Sequence, residues 1–375
     1  MLARQAASLV FRPSAFCGAA LITSRQYCNQ KNDRWYRELF YTQNGKPSEV
    51  LEIRDTPSQN KHADGHVKVK MLNAPITLND IWKIEGKLAT GVNASSEPLI
   101  PGDEGVGIVE EPGNSNFKRG DWVIPARSGL GTWRSFISAK SSDLIKIRND
   151  IQPEIASCLF VSPVTAKRVL EDFVQLKEGD VVIQNGGSGL VGQTVVQLAH
   201  MMGVKVISVM RQRGEEEYGY IVERTKKDGA YIAIADDQIH TPRFRDLISD
   251  LPEPKLAIDC SGGSSATNIA RLLGEGGTMV SISNASRDPV LLPTGMFISK
   301  DIKLKTFNFE NWLGKTTEEE RDGLVHDFSA LVAQKKLKLW VEAFEMWDYR
   351  TPLTEMTLRW DRKPVFTLHN DPELE

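Results

Sequence analysis

The run Gln184-Asn185-Gly186-Gly187-Ser188-Gly189-Leu190-Val191-Gly192 holds the residue types best suited to chemistry in this chain. It follows the apolar stretch Val181-Val182-Ile183, and helical spacing begins directly after it. A strand, a glycine-rich turn and a helix in that order suit a nucleotide diphosphate. Glycines let the backbone approach phosphate oxygens, and a helix start offers free N–H groups and the positive end of its dipole. A second apolar run, 204–210, ends in Met210-Arg211-Gln212-Arg213. In a dinucleotide fold, an acidic residue here holds the ribose 2′-hydroxyl of NAD, whereas arginine pairs with a 2′-phosphate. The cofactor expected is therefore NADPH.

The elements around these residues alternate between strand and helix. A helix is expected over 164–173 and a strand over 180–184. Val191, Val195, Leu198, Ala199 and Met202 recur at helical spacing up to Gly203. Further strands are expected at 231–234, 256–259, 278–282 and 302–307. The pattern predicts an α/β fold with a Rossmann-type, doubly wound parallel sheet. Ligands of such sheets sit beyond the carboxyl ends of the strands. Asp259-Cys260-Ser261-Gly262-Gly263 and the end of 278–284 are placed to line the same edge, or to be plain strand-to-helix turns.

The first part of the chain reads differently. Short extended runs at 50–53, 66–71, 107–109 and 122–124 are separated by turns such as Glu111-Pro112-Gly113-Asn114. A short helix is expected after Thr77. This is the pattern of an irregular, mostly antiparallel β domain. Beyond residue 308 a helix over 318–334 is flanked by terminal strands. The division expected is 1–28, 33–160, 161–307 and 308–375.

The chain has 375 residues, 41% hydrophobic and 25% charged, ample for two domains and a large core. A net charge of -3 gives no support to nucleic-acid binding. No apolar run reaches the roughly 18 residues of a membrane span. Residues 1–32 contain no Asp or Glu but carry Arg4, Arg12, Arg25 and Lys31 among scattered serines and apolar residues. That composition reads as a mitochondrial transit peptide, directing the protein to the matrix, or as a disordered tail. Only Cys158 and Cys260 lie outside this region, with no Cys-x-x-Cys pair, so a cysteine zinc site or redox pair is not expected.

The order of parts, with Asn73-Ala74-Pro75-Ile76-Thr77-Leu78-Asn79-Asp80-Ile81, Pro101-Gly102-Asp103-Glu104-Gly105-Val106-Gly107 and Gly129-Leu130-Gly131-Thr132-Trp133, resembles the medium-chain dehydrogenase/reductase superfamily. The nearest branch is the zinc-independent enoyl thioester reductases of mitochondrial fatty acid synthesis. The resemblance implies a GroES-like first domain and NADPH-dependent saturation of trans-2-enoyl thioesters carried on coenzyme A or acyl-carrier protein. It also implies a homodimer. By resemblance, cofactor contacts fall on Ser162, on Ser188, Gly189, Leu190 and Val191, and on Arg211, Gln212 and Arg213. Others fall on Ile282, Ser283, Asn284 and Ala285, on Phe307, Asn308 and Phe309, and on Lys363. Ser162 and Ser188 stand where the family usually has asparagine.

Two departures bear on the reaction. The zinc-binding branch has Gly-His-Glu where this chain reads Gly102-Asp103-Glu104, and no cysteine lies nearby, so a catalytic zinc is not expected. The family's proton-donating tyrosine is replaced by Leu88, in Glu85-Gly86-Lys87-Leu88-Ala89. Leucine donates no proton, which leaves three readings. Water or Lys87 substitutes for the phenol, and a slower reductase remains. Otherwise the chain is an NADPH-dependent quinone or enone reductase. Lastly, it binds NADPH or acyl thioesters without turnover. Trp82, Trp133 and Trp312 are candidates either for an acyl pocket or for core packing.

Overall fold

Except at the exposed edge strand Lys303–Thr306, the apolar runs of the second half are buried on both faces, as a parallel sheet flanked by helices requires. In the computed structural model, which describes residues 35–57, 65–88, 97–211, 214–355 and 361–368, they form one six-stranded sheet. Its order is Ile232–Ala235, Lys205–Met210, Val181–Gln184, Leu256–Asp259, Thr278–Ser281 and Lys303–Thr306, and every pair is parallel. The chain starts at the centre, winds to one edge, then returns and winds to the other. The switch of direction falls beside Val181–Gln184, where the glycine run begins. Residues 1–28, Gln212 and Arg213 lie outside the described residues.

Helix Leu190–Met201 lies against the sheet and against helix Val161–Glu171. Val195, Val196 and Ala199 from the first meet Ala166, Val169 and Leu170 from the second and Val182 and Val206 from the strands. Gly203 follows the helix at φ +70°, a left-handed position that costs glycine little. Met202, expected on the apolar face, instead caps the helix and is partly exposed.

The first part of the chain joins the last in a seven-stranded mixed sheet. Its order is Val341–Glu345, Lys363–Thr367, Val67–Pro75, Val106–Glu111, Trp122–Pro125 and Leu144–Ile147, with Phe136–Ala139 also on Val67–Pro75. All pairings are antiparallel except Val341–Glu345 with Lys363–Thr367. The returning strand Lys363–Thr367 sits in mid-sheet, so residues nearly three hundred positions apart become neighbours, as in Asn73 Nδ2 to the Phe366 carbonyl at 3.3 Å. The run 50–53 is a correction: Pro47 opens a helical turn, Pro47–Val50, and the strand begins only at Glu52. No helix among the described residues is long and apolar enough to cross a membrane.

Candidate active site

Helix Leu190–Met201 begins at Gly189 with no side-chain cap, so its first N–H groups are free to meet an anion. The glycines around it are required by close approach. A Cβ on Gly187 would fall 1.9 Å from Ser208 Oγ, and one on Gly192 would fall 2.7 Å from the Gly187 Cα. Asn185 ties the neighbouring strand ends together: its Nδ2 donates to Asp259 Oδ1 at 2.7 Å and its Oδ1 accepts the Cys260 N–H at 2.7 Å. Asp259 Oδ1 also accepts the Gly262 N–H at 2.8 Å. The turn is thus braced by buried polar bonds.

A cavity of about 670 Å³ runs from this turn to the mixed sheet. Its volume falls in the range of roughly 300–1,000 Å³ common for small-molecule sites. Of the residues expected at the cofactor, Ser162, Ser188, Gly189, Leu190, Val191, Arg211, Ile282, Ser283, Ala285, Phe307, Asn308, Phe309 and Lys363 all line it. Among the described ones Asn284 is the exception, with its Oδ1 turned to the Ser286 hydroxyl at 3.4 Å and held close against Gly262. Arg211 and Asp236 share one end of the cavity. Burial raises the pKa of Asp236, and the Arg211 charge opposes that rise.

The far end is built by three parts of the mixed sheet. Thr77 caps helix Leu78–Ile84: its Oγ1 accepts the Asp80 N–H at 3.1 Å, and Asp80 Oδ2 accepts the Thr77 N–H at 2.9 Å. Thr77, Leu78 and Asn79 then face the cavity. Asp103 and Glu104 line it from the next segment. Gly102, at φ +104°, lets that segment press on Thr132, where a Cβ would come within 2.3 Å of Oγ1. Lys363 arrives from the returning strand. Gln193 positions that strand, since its Nε2 donates both to the Ser188 carbonyl at 2.6 Å and to the Asp361 carbonyl at 3.0 Å.

The two adjacent carboxyls differ. Asp103 receives the Lys83 ammonium and, at 2.8 Å, the Gly129 N–H. Glu104 is 8% exposed, and its Oε2 accepts the Val161 N–H at 3.3 Å. Burial pushes its pKa up to about 7; Lys363 pulls it down, and Asp80 and Asp103 push it up. Asp80, fully buried beside it, is also raised, chiefly by burial and then by Asp103. Sequence reasoning used Asp103-Glu104 only to argue against zinc. The available signal was a carboxyl pair between Gly102 and Gly105 in an apolar surrounding. Among the described residues no group of three or more His, Cys, Asp or Glu is placed to hold a metal ion.

Leu88 is half-buried and is not part of the cavity wall. Lys87 is engaged by Glu85 at 3.0 Å near the surface, outside the wall. Trp133 is a correction to the acyl-pocket alternative. It is wholly buried, packs edge-on against Phe366 with centroids 5.1 Å apart, and donates to the Pro75 carbonyl at 3.2 Å. Trp82 lies under the Arg287 guanidinium, and Trp312 packs on Phe309, which itself meets Phe160 edge-on at 5.0 Å.

Comparison with known proteins agrees with this geometry. Residues 63–149 match the alcohol dehydrogenase GroES-like domain, and residues 191–325 match the zinc-binding dehydrogenase model. The mitochondrial enoyl-[acyl-carrier-protein] reductase of Dictyostelium discoideum is 36% identical over 84% of this chain and 89% of its own length. The Homo sapiens protein of that name is 36% identical over 80% of each. Among solved structures, a complex of Etr1p with NADP and crotonyl-CoA superposes with a TM-score of 0.79 at 28% identity, covering 89% of this chain and 99% of that one. The Etr1p/Etr2p heterodimer from Candida tropicalis gives a TM-score of 0.80 at 28% identity, with the same coverage. With two curated relatives above one-third identity across most of both chains, and the two expected domains in order, this chain belongs to the mitochondrial enoyl-[acyl-carrier-protein] reductase family of the medium-chain dehydrogenase/reductases.

Proposed function

We propose that the chain is an NADPH-dependent reductase of trans-2-enoyl thioesters in mitochondrial fatty acid synthesis. The observation that carries this reading is the single cavity shared by an uncapped helix start, Arg211 and the Thr77–Glu104–Lys363 wall. The residues fit NADPH, because Gly187 and Gly192 pack too closely for a Cβ and let the turn bring the uncapped helix start, Ser188 to Gly192, to the cavity wall where a diphosphate belongs. Ser188, Gly189, Leu190 and Val191 would hold the diphosphate, and Arg211 with Gln212 and Arg213 the 2′-phosphate. Ser162, Ile282, Ser283, Asn284 and Ala285 would border the nicotinamide half, with Phe307, Asn308, Phe309 and Lys363 closing it. NADPH supplies, when bound, a hydride for the β-carbon of an alkene already polarised by the thioester carbonyl. The chain's own work is to orient the thioester against Thr77 and Asn79, to exclude water with Phe307 and Phe309, and to manage one proton.

On this reading, residues 33–160 and 308–375 form the substrate side and 161–307 the nucleotide side. Residues 1–28 would be a presequence directing the protein to the mitochondrial matrix, as the names of the relatives and the acid-free composition suggest. The acyl group would arrive on coenzyme A or acyl-carrier protein. The deciding assay follows NADPH oxidation with a short trans-2-enoyl thioester. Turnover is expected for the parent and for Leu88→Tyr alike. Turnover by the tyrosine variant alone would show a silenced enzyme. Turnover of quinones with none of thioesters would replace the substrate class.

A homodimer completes the proposal. Lys303–Thr306 is the outermost strand of the parallel sheet and is exposed throughout. Leu291 at 72% and Ile298 at 81% exposure, with Leu304 at 48%, add apolar surface beside it. An unpaired edge with exposed apolar residues invites pairing with a second copy. Light scattering is expected to give twice the mass of one chain, and Ile298→Asp with Leu304→Asp is expected to halve it. A monomeric parent would remove this part of the proposal.

A further inference from the structure

We propose that the Glu104 carboxyl is the acid that protonates the α-carbon, in the role that a phenol has where this chain carries Leu88. The proposal rests on the enoyl reductase reading above and adds the proton source that reading lacks. Its ground is the cavity wall. At the end of the wall built by Thr77, Asn79, Asp103, Glu104 and Lys363, groups with an exchangeable proton are few, whereas Arg211, Tyr218 and Asp236 line the end near strand Ile232–Ala235. The Lys363 ammonium acts on Glu104 through its charge. Asp103 is already engaged by the Lys83 ammonium and the Gly129 N–H. Burial pushes the Cys260 thiol up to about 12. The hydroxyls of Thr77, Ser128, Ser162 and Thr165 are far weaker acids than a carboxylic acid.

Glu104 differs in geometry and in surroundings. It lies at the wall of the cavity yet is 8% exposed, and the Val161 N–H engages only Oε2, leaving Oε1 for the proton. Charged and titratable groups surround it on each side. Asp80 faces it from helix Leu78–Ile84, Asp103 from its own segment, Lys363 from the returning strand and Cys158 from the turn before helix Val161–Glu171. Behind Asp80 and Asp103 stands Tyr41, whose phenol is held protonated by burial and by those two carboxyls. Burial keeps Glu104 protonated up to about pH 7, so an acid is present at neutral pH. A matched pKa of this kind is what a general acid requires.

The step balances. Hydride addition at the β-carbon leaves the alkene electron pair on the α-carbon and thioester oxygen as an enolate. The Glu104 Oε1–H bond breaks, a C–H bond forms at the α-carbon, and the thioester carbonyl is restored. The carboxylate left behind is adjacent to the Lys363 charge, which stabilises it until solvent returns a proton. Nothing is oxidised or reduced in this transfer.

The test is made on the full chain with NADPH and crotonyl-CoA, beside Glu104→Gln and Glu104→Asp. Infrared titration of the free protein should show a protonated carboxyl band that disappears as pH rises through about 7 and is missing in Glu104→Gln. The parent kcat should fall about tenfold per pH unit above that point, as expected when a single acid ionises. Glu104→Gln should lose about 10²–10⁴-fold in kcat and show no such limb, while its NADPH dissociation constant stays within about threefold. Glu104→Asp should recover part of the rate. A parent with a flat kcat profile from about pH 5 to about pH 9 overturns the proposal, even if the glutamine variant does not fold. So does a folded Glu104→Gln with the parent's rate and profile. A parent inactive on the thioester overturns instead the reductase reading on which this step rests.

Discussion

Gly192→Ala is expected to abolish NADPH binding and to destabilise the fold, although one methyl group is all that it adds. The new Cβ would lie 2.7 Å from the Gly187 Cα, 2.9 Å from the Gly186 carbonyl oxygen and 2.9 Å from the Gly187 carbonyl carbon. All three are backbone atoms, so no rotamer change relieves the contact. The helix must back away from the strand-end turn, and the turn itself is pinned. Gly187 N donates to the Val209 carbonyl at 3.1 Å, and Gln184 Nε2 holds the Gly192 carbonyl at 3.0 Å. Overpacking of this type costs about 1–3 kcal/mol, and more where backbone must shift. The displaced helix start no longer aims its N–H groups at the diphosphate. Calorimetric titration should show the NADPH dissociation constant rising at least about 100-fold, the loss expected when roughly 3 kcal/mol of phosphate contacts are misaligned. Thermal unfolding should report the destabilisation. Parent-like affinity in Gly192→Ala would mean that the diphosphate does not sit at this turn.

Arg224→Ala is expected to have the second large effect, on stability first and activity through it. Arg224 and Asp361 form an ion pair at 3.1 Å with side chains 4% and 8% exposed. Arg224 Nη2 also donates to the Asp361 carbonyl at 2.9 Å, and the guanidinium stacks 4.9 Å from the Trp340 ring. Removing one partner of a buried pair leaves an uncompensated charge and typically costs about 3–5 kcal/mol. Arg362, 3.7 Å from the same Asp361 oxygen, offsets part of this, which places the expected loss near about 3 kcal/mol. The double variant Arg224→Met with Asp361→Asn should be milder than Arg224→Ala, because no bare carboxylate remains. The functional consequence follows from position. Asp361 lies two residues before Lys363, the first residue of the returning strand, so loosening it moves the Lys363 ammonium and, with it, the partner of Glu104. Denaturant unfolding measures the first effect, and the pH dependence of kcat the second. A loss below about 1 kcal/mol in Arg224→Ala would show that solvent reaches this pair.

Much of this protein is legible in one dimension. The strand, glycine turn and helix around 181–203 are specified locally. The apolar runs are contiguous, and glycine is the residue that tolerates both the left-handed turn and the close approach. The helix over 318–334 emerges as Glu318–Ala333, and the strand 256–259 is placed to the residue, since each is bounded by strong turn or capping residues. The strands Phe136–Ala139 and Leu144–Ile147 carry no comparable signal, because four residues offer too short a period to separate strand from loop. Arg211 was expected at the cofactor from its place at a strand end, and the structure sets it on the cavity wall.

The proton donor illustrates the limit. Leu88 could be read as an absence, because a motif shows which residue is missing. Glu104 could not be read as the replacement. Its chemistry comes from burial against Val161 and from Lys363, which lies 259 positions later on the returning strand (363 − 104). Short-range pattern therefore determined the elements, the cofactor class and the missing phenol. Tertiary structure alone decided which carboxyl keeps its proton, because a pKa depends on desolvation and neighbouring charge summed in space, and adjacency in sequence leaves both unspecified.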